Sequence, residues 1–69
     1  MTPAEVRKVE AYLRRTFGHD GLTVTPPPGK SKGSCEVAID GEFIGTINRD
    51  EDEGEVSYAF NMVILDMDL

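Results

Sequence analysis

Five carboxylates crowd the seven residues Arg49–Glu55, R-D-E-D-E-G-E. A cluster of that density could cage a cation, hold a basic partner or simply lie in water. A calcium loop of the EF-hand kind needs oxygen ligands at alternate positions, glycine at the sixth and a bidentate glutamate at the twelfth. Counted from Asp50, those two positions hold Glu55 and Asn61, and a strand pattern follows where a helix is required. No specific metal site is expected. The stretch reads as a solvated hairpin turn whose charges deter edge-to-edge aggregation. Asp50, Glu51, Asp52 and Glu53 stand as candidate docking residues for a basic partner, through an attraction that salt would screen.

Other chemistry is sparser. Gly29-Lys30-Ser31 resembles the end of a phosphate-binding loop, but that motif needs a glycine five positions before Gly29 and a helix after the serine. Val24 occupies the first position, and more loop follows Ser31. Pro26-Pro27-Pro28 could be read by an aromatic groove, although three prolines more often stiffen a connection. Nucleophilic catalysis needs an activating base and a group to orient it. With one His and one Cys, the only such pair is Cys35 with His19. Cys35 opens an alternating strand, the usual place for a core cysteine, and His19 sits beside a glycine turn. Tyr58 has no base assigned to it. Paired carboxylates for glycoside chemistry need a cleft, which a domain this small rarely encloses. No catalytic residue, metal ligand or cofactor is assigned, and the chain is expected not to be an enzyme.

Charge is unevenly laid out. The net charge is −6, yet residues 1–34 carry six basic side chains against three acidic ones, +3, while residues 35–69 carry one against ten, −9. An acidic total argues against general nucleic-acid binding, where phosphate contacts dominate affinity. The basic residues Arg7, Lys8, Arg14 and Arg15 fall on one side of a helical wheel around Ala11 and form a second candidate partner-binding surface. No second helix of a helix-turn-helix accompanies them, and no Asn or Gln lies among them to read bases.

These side chains need elements to position them. Thr2 and Glu5 form a T-x-x-E capping box with Pro3 at the first helical position, and Gly18 stands where a left-handed terminator belongs. The spacing therefore predicts a helix ending near Phe17, with Val6, Val9, Leu13 and Phe17 as its apolar stripe. Leu22–Thr25 reads as a short edge strand, stopped by the prolines. Cys35–Ile39 and Glu42–Ile47 flank the hairpin signal Asp40-Gly41. After the acidic stretch comes a strand with Val56, Tyr58, Phe60, Met62 and Ile64 on one face. A two-residue loop at Asp40-Gly41 would put Val37 beside Ile44, and a three-residue loop beside Phe43. In either register apolar side chains reach both faces of the sheet. For residues 62–69 a strand with an acidic tail is preferred over a short helix, because Asp66 and Asp68 oppose a helix C-terminus.

The expected fold is α+β. An N-terminal amphipathic helix packs on a three- to four-stranded antiparallel sheet, as one small domain over residues 1–69. The expected core is Val6, Val9, Leu13, Phe17, Val37, Phe43, Ile47, Val56, Tyr58, Phe60 and Met62. A chain of 69 residues has room for one core and buries only about 60% of its extended surface. No apolar run approaches the roughly 18 residues that span a bilayer, no secretory signal is recognised, and a lone cysteine fits a reducing compartment. A cytoplasmic location without membrane attachment is expected.

The segment V-E-A-Y-L-R-R-T-F (Val9–Phe17) and the closing stretch F-I-G-T-I…F-N-M-V-I-L-D-M-D-L resemble a family of short alphaproteobacterial proteins known only as a domain of unknown function. The likeness covers nearly the whole chain. It implies a bacterial, cytoplasmic protein and carries over no catalytic or binding residue. The leading functional expectation is a non-enzymatic protein-binding or adaptor module, acting through an open sheet face or through the charge asymmetry, with an unidentified protein or a second copy as partner. The alternative is a regulator or subunit of a nucleic-acid-associated complex using the basic helix face. A third is a small ligand carrier or enzyme using a pocket between helix and sheet.

Overall fold

Helix α1 spans Pro3–Phe17, and both of its ends are set by local chemistry. In the computed structural model, which describes residues 1–27 and 34–69, the Thr2 amide donates to Glu5 Oε1 at 2.9 Å and the Glu5 amide to Thr2 Oγ1 at 3.2 Å. That reciprocal pair satisfies two amides which a helix start leaves without partners. Gly18, at φ 64°, ends the helix in the left-handed region. The Gly29-Lys30-Ser31 stretch and Pro28 lie outside the described residues.

Four strands follow: β1 (Leu22–Thr25), β2 (Cys35–Ile39), β3 (Glu42–Asp52) and β4 (Glu55–Met62). Each pairs antiparallel with the next, in spatial order β1-β2-β3-β4. Both tight hairpins are two-residue loops with positive φ at both positions, Asp40-Gly41 at 50° and 84° and Glu53-Gly54 at 51° and 81°. This backbone matches the twist of the flanking strands. The acidic stretch is thus not a long turn. Arg49–Asp52 continues β3, and only Glu53-Gly54 forms the bend.

Neither anticipated register of the first hairpin occurs. Ile39 pairs with Glu42 and Ala38 with Phe43, but Val37 faces Gly45, so Ile44 is an extra residue in a bulge. The bulge changes the phase of β3: Phe43 goes to the face away from α1 and Ile47 to the face beneath it. Phe43 is accordingly 52% exposed and Ile47 only 1%. Gly45 is required at this point, because a Cβ there would run into the Asn61 carbonyl and the Phe60 ring.

The core lies between α1 and the first three strands. It consists of Val6, Val9, Leu13, Leu22, Val24, Cys35, Val37 and Ile47, with Met1, Ile39, Ile44 and Phe60 packed at its margin. Five expected core residues are not in it: Phe17, Phe43, Val56, Tyr58 and Met62 are all exposed. For Val56, Tyr58 and Met62 the assigned face is correct, since they alternate in phase with Phe60 and Phe60 pairs with buried Ile47. The helix packs chiefly on β1, so it does not reach over β4. Apolar side chains do reach the opposite face, but most of it is polar. It carries Thr23, Thr25, Glu36, Thr46, Asn48, Ser57 and Asn61, with Ala38, Ala59 and Phe43 among them. After Met62 the chain leaves the sheet and ends in a 3-10 turn at Asp66–Asp68, in place of the expected strand and tail.

Candidate functional site

One flank of α1 presents Lys8, Val9, Tyr12 and Leu13, at the i, i+1, i+4, i+5 spacing that makes a continuous strip. Facing it, Ile47 of β3 and Tyr58 and Phe60 of β4 rise from the sheet. Because α1 stops short of β4, the two surfaces diverge and leave a groove of about 420 Å³. Its lining is apolar except for Lys8 and the Tyr hydroxyls. At one end Phe17 meets Phe60 edge to face, with centroids 6.4 Å apart and planes at 72°. Along the rim the Arg15 guanidinium lies 5.7 Å from the Tyr12 ring centroid, a cation–π contact.

A polar network closes the other end. Glu5 Oε2 accepts from Tyr58 Oη at 2.7 Å and from Arg49 Nε at 2.8 Å, and Arg49 also donates to Glu51 Oε2 at 3.1 Å. The helix start is thereby tied to the middle of the β3–β4 hairpin. The Thr2 amide foremost, then the Tyr58 hydroxyl and Arg49, hold the Glu5 carboxyl down at about 2. The same bond, viewed from the phenol, raises Tyr58, since ionising it would set a second negative charge against Glu5.

The candidate residues separate on this frame. Arg14 is engaged within the fold: its Nε donates to the Leu22 carbonyl at 2.7 Å, and its guanidinium lies 3.4 Å from Glu10 Oε1. Glu10 Oε2 in turn accepts from the Val24 amide at 2.9 Å. Lys8 and Arg15 belong to the groove and its rim. Arg7 lies beside a smaller cavity with Met1, Pro3, Val6 and Pro26. The acidic residues do not converge. Asp50, opposite Ser57, and Glu51, opposite Val56, point to different faces. Asp52 faces Glu55, and Glu53 sits in the bend. Among the described residues no group of three or more His, Cys, Asp or Glu side chains is placed to hold an ion.

His19 and Cys35 have separate surroundings. His19 Nδ1 accepts from the Gly21 amide at 2.9 Å, and its Nε2 lies 3.7 Å from Asp40 Oδ2. Cys35 is buried, with its thiol 3.6 Å from Met1 Sδ. Burial pushes that thiol up, away from the thiolate a nucleophile needs.

Sequence reasoning did not single out Tyr12 as a groove residue, or Glu5 as more than a cap. The flanking position of Tyr12 beside the apolar stripe was the available signal. Nothing local announces that Arg49 and Tyr58 come to Glu5 from across the chain.

Residues 5–68 match the family described as "Protein of unknown function (DUF3126)". The chain belongs to this family. The match takes in the helix segment Val9–Phe17 and all but the last residue of the closing stretch, the two parts on which the resemblance was drawn. No curated protein and no solved structure matches the chain. No helix among the described residues is long and apolar enough to cross a membrane. The family's description assigns no activity, so a functional reading has to start from the groove and the charges around it.

Proposed function

We propose that this chain is a protein-binding module without catalytic chemistry of its own, and that it receives an apolar, acid-flanked segment of a partner protein in the groove between α1 and the β3–β4 hairpin. The observation that carries this reading is the groove itself: exposed aromatic side chains, Tyr12 and Tyr58, beside Lys8, in a chain otherwise rich in acid. Aromatic residues and arginine are the groups that dominate binding at protein interfaces, and Lys8 and Arg15 at the margin favour a segment bearing carboxylates. Apolar contact would supply retention at high salt, and the basic rim would supply orientation.

Tyr12→Glu and Lys8→Glu test it. Both positions are exposed, so the fold should be retained. Tagged protein recovered from its host cells at low salt and washed at high salt should keep a defined partner, and Tyr12→Glu should lose it. A partner recovered equally by wild type and Tyr12→Glu would overturn the groove as the docking site. A partner released by salt from wild type would point instead to Arg7, Lys8 and Arg15, the exposed part of the basic stripe, and to the nucleic-acid-associated alternative.

The groove's volume supports a second reading. Small-molecule sites run from about 300 to 1,000 Å³, and the groove falls within that span. A small apolar molecule released on denaturing the wild type, and absent from Tyr12→Glu, would favour a ligand carrier.

A further inference from the structure

The two outer strands of the sheet differ in what meets their free backbone groups. On β1, Arg14 and Glu10 of α1 satisfy the Leu22 carbonyl and the Val24 amide. On β4, among the described residues, nothing pairs with the outer side. The Val63 amide donates to the Ile44 carbonyl at 2.9 Å. In an antiparallel ladder bonded residues alternate, so Val63, Asn61, Ala59 and Ser57 turn their backbone towards β3. Val56, Tyr58, Phe60 and Met62 therefore turn theirs outward. The C-terminal segment leaves that edge free, since Val63, Ile64 and Asp68 gather with Ile39, Asp40 and Phe43 at the other hairpin.

We propose that β4 pairs antiparallel with β4 of a second copy about a two-fold axis at Ala59, joining two sheets into one. The strand's own pattern selects this occupant. Centred on Ala59, the pairing sets Val56 against Met62 and Tyr58 against Phe60, each twice, so every outward amide and carbonyl of the four residues finds a partner. Centring on Tyr58 or on Phe60 leaves Met62 or Val56 without one. Side chains match as well. Apolar faces apolar on the side of α1, Ser57 faces Asn61 on the other side, and the small Ala59 faces itself at the axis. The only charge on β4, Glu55, falls opposite Val63, whereas a parallel pairing would set Glu55 against Glu55. An exposed edge with no proline or lysine has no device of its own against such pairing. The surface adjoins the groove through Tyr58 and Phe60, but backbone groups carry it.

The register makes a sharp test. Residue 59 would form a non-hydrogen-bonded pair with its own copy, where Cα atoms lie about 4.5 Å apart, and this is within the span a disulfide bridges. In a Cys35→Ala background, Ala59→Cys should cross-link to a covalent dimer under mild oxidation, and Ser57→Cys alone should not. Without cross-links, sedimentation equilibrium should show a reversible dimer, and Ala59→Lys should weaken it about two- to fivefold, because like charges directly opposite repel. Each copy carries −6, so dimerisation should strengthen as salt rises. Circular dichroism of Ala59→Lys checks that the exposed substitution leaves the fold intact. A chain that stays monomeric at every concentration and salt overturns the proposal and leaves the edge to a strand of another protein. Equal cross-linking through Ser57→Cys, or a dimer indifferent to Ala59→Lys, overturns the β4 register. None of these outcomes depends on Tyr12 or Lys8, so the groove reading stands or falls separately.

Discussion

β1 and β4 are both outer strands of one sheet, and the shorter is the better protected. Four-residue β1 lies under α1, with Leu22 and Val24 in the core and its outer backbone groups bonded to Arg14 and Glu10. Eight-residue β4 has its inner side chains half in water and its outer backbone unpaired among the described residues. Glu10 and Arg14 are four apart, on one face of the helix, so the pair that supports α1 through an ion pair also closes the strand below. One amphipathic helix can finish one border of a four-stranded sheet, and the other border is then available for contact.

The contrast can be broken in several places. The largest expected effect is in the β1–β3 block: Ile47→Ala should lower unfolding stability by about 2–5 kcal/mol, as for a fully buried side chain. Val56→Ala at low protein concentration should stay within about 0.5 kcal/mol. Urea titrations compare the two directly, and equal losses would show that β4 is covered in solution. Phe60 sits at the boundary, half-buried against Phe17. Phe60→Ala should fall below the roughly 3–5 kcal/mol of a fully buried phenylalanine, at about 2 kcal/mol in the same titration. Glu10→Ala should remove about 1.5–3 kcal/mol, the weight of a hydrogen bond to a charged group. It should also leave the Val24 amide open, seen as faster hydrogen exchange at that residue.

A separate effect is at acid pH. Glu5 falls from 4.5 when unfolded to about 2 when folded, so its contribution is complete above about pH 4.5 and lost as the pH drops towards 2. Thermal melts across that window should fall more steeply for wild type than for Glu5→Gln. Matching slopes would mean that neither the cap to the Thr2 amide nor the link to Tyr58 and Arg49 holds the carboxylate.

What could be read from the sequence was mostly local. Thr2, Glu5 and Gly18 define the helix through bonds that span a few residues, and Asp40-Gly41 marks its turn for the same reason. The Ile44 bulge was hidden because it depends on how Val37 meets Gly45, a choice made between strands. The acidic stretch looked like a turn because charge density is a weak guide to backbone path, and Glu53-Gly54 was the smaller and truer signal. The alternation of Val56, Tyr58, Phe60 and Met62 gave their face correctly. Their exposure follows from where α1 settles, which no period of two can encode. The groove is a product of that same placement: a pocket between helix and sheet was anticipated, but not that α1 would leave it open along β4 with Tyr12 on its wall.

The succession of strands also bears on the order in which the chain assembles. Each strand pairs with the next along the chain, so the sheet can zip from either tight hairpin without first closing a long loop. Hairpins of this kind form in about 1–10 μs, and local topology favours fast folding. The most distant closure is the bond from Glu5 to Tyr58, between residues 53 apart in the chain. It can form only after α1 has docked and β4 has joined β3. The cap at the helix start needs only Thr2 and Glu5, so it is the tie from that cap to the β3–β4 hairpin, not the helix start itself, that waits for the rest of the fold.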